Sequence, residues 1–242
     1  LPRNAASMDR IEGALIALTL ERSAPASPRE LCHASHEGGD ARSLWFDKPV
    51  SLIAFSNGRF GVNAEHAHFD APVPARLFAY CNRKIAKDEA RGATAPPSSQ
   101  ASEWRPLDFE LPSTVVDAIE AAPAALAPLR TSNRLVPIRF EGGGRVKALA
   151  VRPISSDSVV QMALQLAQLR DQGELVATYE SATTRRFALG RTETIRSCSL
   201  AATAFARAME DRSATRAERL AALGHALKEH GEWLIACGSG RG

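Results

Sequence analysis

Apolar residues recur at helical spacing in the first stretch of the chain. Ile11, Ala14, Leu15 and Leu18 predict a helix between Ala6 and Leu20, with Thr19 and Leu20 able to open a strand instead. From Glu21 to Ser43 the pattern dissolves into Ser, Pro, Gly, His and charge, and a long loop is expected. The β-rich run Val50 to Phe55, the Asn57-Gly58 pair and the alternation of Phe60, Val62 and Ala64 with polar or small residues predict a hairpin. A helix is expected from Asp70 or Ala71, with Pro72 and Pro74 in its first turn and Leu77, Phe78 and Cys81 on its apolar side.

Between Asp88 and Ser102 the composition turns to Ala, Ser, Pro and Gly, which divides the chain into expected halves of 1–102 and 103–242. In the second half, Leu107 to Leu111 and Leu135 to Phe140 read as strands. Between them lies a helix from Thr114 to Ala122, capped by Ser113 and stopped by Pro123. The strongest helix follows. Ser156 is its expected cap, Asp157 favours its positive end, Val160, Ala163, Leu164 and Ala167 form one stripe, and Gly173 closes it. The last third is helical, with Leu220, Leu223, Leu227 and Leu234 on one side. Strands and helices mix irregularly, so the fold class is α/β in the broad sense, mixed α+β.

Composition narrows the function classes. In 242 residues, 45% hydrophobic and 24% charged, a wholly disordered or collagenous chain is excluded. No apolar run approaches the ~18 residues of a membrane span, so no span is expected in this chain, which leaves room for a membrane anchor upstream. Cys32, Cys81, Cys198 and Cys237 are too scattered for a disulfide framework or a zinc ribbon, and a reducing compartment is the expectation. A formal charge of +3 is too small to indicate nucleic acid, although it permits a phosphate-bearing partner. The chain opens on Leu1, which suggests a piece of a longer polypeptide.

Three constellations can carry chemistry. His66 falls just past the second hairpin strand, on a loop held by a ladder; its imidazole can take a proton near neutral pH, and Asp70 can steady the ring. Taken alone, His-x-x-x-Asp is more often a pair of polar loop residues. A metal site drawn from His66, His68, His33 and His36 is a weaker reading still, and no metal is expected. The second constellation joins Thr178-Tyr179-Glu180-Ser181 to Gly190 through Ser197, where hydroxyls beside Arg suit a small carboxylate. The third is Gly142 to Gly144 with Arg145, Lys147 and Arg152, ahead of a helix N-terminus. It is suited to phosphate but lacks either glycine-rich nucleotide motif.

Several strings, taken in series, are more specific than any one motif. Trp45-Phe46-Asp47-Lys48, Gly61-Val62-Asn63-Ala64-Glu65-His66 and Asp70-Ala71-Pro72 resemble the catalytic segment of the choline/carnitine acyltransferases. Gln161-Met162-Ala163-Leu164-Gln165-Leu166-Ala167, Thr178 to Ser181 and Gly190 to Ser197 resemble later segments of that family, in its order and at about its separations. The likeness is closest to the palmitoyl and octanoyl carnitine enzymes. Thr192 and Thr194 stand where a choline enzyme is expected to carry Val and Asn, and carnitine has a carboxylate that hydroxyls can bind.

The resemblance implies part of a chloramphenicol-acetyltransferase-like fold of two α/β halves, with the active site in a tunnel between them. It implies a carnitine O-acyltransferase, monomeric, in the mitochondrion or peroxisome. Such an enzyme moves a medium- or long-chain acyl group between coenzyme A and carnitine. His66 would be the general base and Asp70 its support. Tyr179 and Thr192 would hold the carnitine carboxylate, while Arg145, Lys147, Arg152 and Asp157 would meet coenzyme A. Thioester-to-ester exchange needs no metal or redox group, so coenzyme A is a co-substrate and no cofactor is expected. Departures are visible too. Ser155-Ser156-Asp157 replaces the family's Ser-Pro-Asp, and the family's paired lysines are absent. The chain stops about where the family continues into Asp-Arg-His-Leu and a Ser-Thr-Ser segment credited with stabilising the oxyanion. The resemblance therefore implies a central piece lacking both ends. An inactive or binding-only chain, or a choline O-acetyltransferase, is the alternative.

Overall fold

The structure is a computed structural model that describes residues 2–37, 42–90, 105–142 and 154–242. Its contacts divide the chain into two compact units, Leu1–Ile138 and Arg139–Gly242. Both units mix helix and strand among the described residues, as the irregular element order predicts.

The first unit begins with helix α1 (Pro2–Glu12) and strand β1 (Ile16–Glu21). The helix expected to run to Leu20 stops early because Gly13 interrupts it, its N–H bonding Asp9 O at 2.9 Å, and the apolar residues beyond are strand residues. Helix α2 (Pro28–Glu37) occupies the segment expected to be loop. Its start is well capped. Ser27 Oγ accepts from Glu30 N at 3.1 Å, and the Glu30 carboxylate accepts from Ala26 N at 2.8 Å. The far end is capped from the sheet: the Asn63 amide donates to the carbonyls of Ser35 and His36, at 3.2 and 3.4 Å.

The expected hairpin is present as β2 (Val50–Phe55) and β3 (Phe60–Ala64). Of the Asn57-Gly58 pair only Gly58 takes a positive φ, +77°. Strand β2 is central: it pairs parallel with β1, Ile16 opposite Val50, and antiparallel with β3, Val50 opposite Ala64. The parallel pairing needs a crossover, and α2 lies within it. Ile53 and Phe55 pack with Leu44 under Leu31 and Ala34 of α2, forming the core of this unit. Gly61 lets α2 approach β3, since a Cβ there would stand 1.9 Å from Ser35 Oγ.

Helix α3 (Pro72–Ala90) begins where expected, with both prolines in its first turn. No strand forms over Leu107 to Leu111. That backbone is held by side chains instead: Asn4 donates to Glu110 O at 2.8 Å and accepts from Glu110 N at 2.7 Å, while Ser7 donates to Asp108 O. These bonds tie the segment to α1, so residues 105–138, expected in the second half, group with the first unit. Helix α4 (Ser113–Ser132) runs through Pro123 and Pro128 rather than ending at the former. Its Ala-rich sequence sustains the helix across the missing N–H groups. Leu135 to Phe140 is likewise not a strand, and Val136, Ile138 and Phe140 are exposed.

In the second unit, helix α5 (Ser156–Gln172) is capped one residue earlier than expected, by Ser155, whose Oγ accepts from Ser158 N. Gly173 closes it at φ +76°, as expected. The expected stripe of Val160, Ala163, Leu164 and Ala167 is the exposed side; Ser158, Met162 and Gln165 face inward. Strands β4 (Tyr179–Thr183) and β5 (Thr192–Arg196) form an antiparallel pair. Helices α6 (Leu200–Glu210) and α7 (Arg216–Gly238) complete the unit. One cluster joins Met162 to Ala201, Ala202, Phe205 and Ala226, with Leu223 and Leu227 against it. The other end of α7 covers the hairpin, where Cys237 and Leu234 meet Ala182 and Ile195. Leu220, expected on the apolar side of α7, is exposed.

Candidate active site

In the first unit, strand β3 delivers Glu65 and His66 to a loop that ends at α3. The first turn of α3 fixes the other end, where Val73 N donates to Asp70 O at 3.0 Å. This brings the expected pair together. His66 Nδ1 stands 3.7 Å from Asp70 Oδ1, ion-pair distance rather than a short hydrogen bond. The two side chains differ in solvation: that of Asp70 is 11% exposed, that of His66 77%. It is the Nδ1 edge of the ring that faces the carboxylate.

His66 also lines a cavity of about 840 Å³ whose walls are largely apolar, including Leu31, Phe46, Phe60, Val62 and Leu126. Of the Trp45-Phe46-Asp47-Lys48 string, Phe46 reaches this wall and Lys48 is structural. Lys48 is buried, and its Nζ donates to Glu12 O at the end of α1. His33 is engaged with Glu37 at 3.2 Å and His68 approaches Glu65 at 3.8 Å, so the four histidines weighed as metal ligands are not gathered into one site.

In the second unit, alternation along the hairpin decides which side chains meet solvent. Tyr179, Ser181 and Thr183 of β4 and Thr192, Thr194 and Arg196 of β5 stand on one exposed face. Ala182 and Ile195 point to α7. Tyr179 and Thr192 therefore share a face that carries five hydroxyls and one guanidinium. They are not adjacent on it. Tyr179 pairs with Arg196 and Thr192 with Thr183, so their backbones lie at opposite ends of the ladder, ~13 Å apart along the strand.

Asp157 is exposed at the start of α5, where its carboxylate lies within 4.8 Å of the ligand atoms of Glu180 and His230. Arg145, Lys147 and Arg152, the other residues expected to meet coenzyme A, lie outside the described residues.

No motif in the sequence marks His230. This residue of α7 is only 4% exposed and uses both ring nitrogens: Nδ1 bonds Ser158 Oγ at 2.8 Å, and Nε2 bonds the Glu180 carboxylate. Burial pushes the Glu180 carboxyl up from its ordinary value. The His230 charge pulls it down, the Asp157 charge raises it further, and hydrogen bonds from His230 and Gln161 lower it. Among the described residues, Asp157, Glu180 and His230 are the only trio close enough to share a cation. Glu180 sits in a string already singled out, but nothing nearby in sequence points to a partner fifty residues away.

Comparison with known proteins bears on both units at once. The family model for choline/carnitine O-acyltransferases matches residues 1–242. The chain is 32% identical over 244 residues to the peroxisomal carnitine O-octanoyltransferase of Homo sapiens, covering all of this chain and 40% of that protein. The bovine (Bos taurus) protein of the same name is 31% identical over the same span. To the muscle isoform of carnitine O-palmitoyltransferase 1 from Homo sapiens it is 33% identical over 240 residues, which is 94% of this chain and 31% of that one. The chain thus spans less than half the length of the relatives it matches. A match that runs from the first residue to the last, through the His66 loop and the Tyr179–Thr192 hairpin alike, makes this chain a member of the choline/carnitine O-acyltransferase family.

Proposed function

We propose that these residues serve a carnitine O-acyltransferase, which moves a medium- or long-chain fatty acyl group reversibly between coenzyme A and the carnitine hydroxyl. The observation that carries this reading is His66, set over the carboxylate of Asp70 at the edge of an apolar-walled cavity, in a chain of this family. The names of the relatives, octanoyltransferase and palmitoyltransferase, support carnitine and a fatty acyl group over choline and acetate.

In the proposed reaction Nε2 of His66 takes the proton of the carnitine hydroxyl as its oxygen attacks the thioester carbonyl. The tetrahedral adduct collapses with cleavage of the carbon–sulfur bond. The imidazolium returns its proton to the departing sulfur, giving acylcarnitine and free coenzyme A. Asp70 holds Nδ1 and favours the transient cation. Tyr179 and Thr192 would hold the carnitine carboxylate from the hydroxyl face, Asp157 would meet coenzyme A, and Arg145, Lys147 and Arg152 would bind its phosphates. No cofactor or metal takes part. The peroxisome, named for the octanoyl relatives, or the mitochondrion is the proposed compartment.

A binding-only chain is the second reading, favoured by the solvent exposure of the His66 ring, which leaves the base hydrated. Calorimetry of the 242-residue chain with carnitine and with coenzyme A, alongside an assay for acylcarnitine, separates the two. Binding without product supports the second reading, and product from this chain rules it out.

A further inference from the structure

The two expected substrate contacts of the second unit, Tyr179 and Asp157, lie on different elements. Each is followed in sequence by a residue that His230 holds. Glu180, next to Tyr179 on β4, bonds Nε2; Ser158, next to Asp157 at the start of α5, bonds Nδ1. The Ser158 bond is buried and the Glu180 bond part-buried, Ser158 being 1% and His230 4% exposed, so water has little access to the ring. An imidazole is planar and its two nitrogens diverge, so a ring bonded at both is fixed in position and transmits that constraint to both neighbours. The charged groups facing the ring are Glu180 from β4 and Asp157 from α5.

We propose that His230 is a positioning residue of the acyl transfer: it clamps the strand that presents Tyr179 to carnitine against the helix start that presents Asp157 to coenzyme A. This rests on the function proposed above and adds to it a residue that touches neither substrate.

The two bonds can be cut separately. His230→Asn keeps a hydrogen-bonding amide near the position of Nδ1 and gives up Glu180. His230→Gln reaches the position of Nε2 and gives up Ser158. His230→Ala loses both. The variants are made in the longest open reading frame that contains these 242 residues, and the Kd and KM of carnitine and of coenzyme A are measured. Loss of a part-buried hydrogen bond to a charged group predicts a rise of about tenfold in the carnitine constants of His230→Asn. In His230→Gln the coenzyme A constants should rise and the carnitine constants hold. In both variants kcat at saturation should stay within about twofold of wild type, because the binding lost is uniform. A merely structural role predicts equal losses in both variants, tracking their thermal midpoints. That result, or unchanged constants in folded variants, overturns the clamp. Absence of acylcarnitine from the wild type overturns the activity instead, and the two Kd values then decide the clamp alone. Failure of the wild type to bind either ligand overturns both.

Discussion

The carboxylate of Glu180 and the imidazole of His230 form a part-buried hydrogen-bonded pair between strand β4 and helix α7, with Asp157 close by. Because burial raises the Glu180 carboxyl above its ordinary 4.5, the folded chain holds a proton there that the unfolded chain has released. The linkage sign follows: as pH rises from 4.5 through the folded value, this group's contribution to stability declines. Glu180→Gln removes the titration. Urea midpoints of the two proteins across that window should show the wild type losing ground to the variant as pH rises. A constant difference, or one of opposite sign, would contradict the burial argument.

Helix α7 opens with the reverse case. Glu218 accepts from the backbone N–H and the hydroxyl of Thr215, at 2.7 and 2.8 Å, and these bonds lower its carboxyl below 4.5. Its stabilisation is therefore complete above the unfolded value and is lost as pH falls through the folded one. Amide exchange in the first turn of α7 is the measurement. Protection there should drop on acidification in the wild type and be indifferent to pH in Glu218→Gln, once intrinsic exchange rates are removed.

Gly190 precedes Thr192 in the turn between β4 and β5, and its position excludes a side chain. A Cβ would stand 2.1 Å from the carbonyl oxygen of Thr184 and 2.9 Å from its carbon. Both are backbone atoms, so no rotamer change relieves the clash. Gly190→Ala should cost about 1–3 kcal/mol by overpacking and displace Thr192. Gly173→Ala is a useful comparison, because open space surrounds that site and only its φ of +76° is strained. Denaturation of both variants, with carnitine binding measured on each, should show weakened binding in Gly190→Ala alone.

Phe205 on α6 is 5% exposed and packs in the cluster with Met162, Ala201, Ala202 and Ala226. Phe205→Ala should destabilise the second unit by about 3–5 kcal/mol, through lost transfer energy and a residual cavity. Leu200, at the start of the same helix, is 89% exposed, and Leu200→Ala should stay within ~0.5 kcal/mol. Chemical denaturation followed by the near-ultraviolet signal distinguishes them.

Local signals were legible wherever one stretch of chain carries the whole instruction. The β2–β3 hairpin, the prolines opening α3 and Gly173 closing α5 are of this kind. The start of α2 is readable in hindsight from Ser27-Pro28-Arg29-Glu30. Its short length and few apolar positions, Leu31 and Ala34 among them, hide it inside a polar stretch. Other expectations failed because apolarity does not determine which face finds a partner. Val160 and Leu164 have helical spacing and face solvent. The buried arc of the same helix includes Ser158 and Gln165, the former satisfied by His230. The run at Leu107 to Leu111 looks like a strand, yet the Asn4 amide serves where a neighbouring strand would. At the candidate site, His66 and Asp70 are four residues apart and could be paired from spacing. His230 could not, because its partners are 50 and 72 residues away.

The most direct test concerns His66. Acyl-CoA-dependent formation of acylcarnitine is measured with the longest open reading frame that contains this chain, as wild type and as His66→Ala and Asp70→Asn. Acylcarnitine is expected from the wild type, with loss of at least ~10²-fold in kcat for His66→Ala and a smaller loss for Asp70→Asn. A folded His66→Ala protein that turns over at the wild-type rate would remove His66 from the role of base.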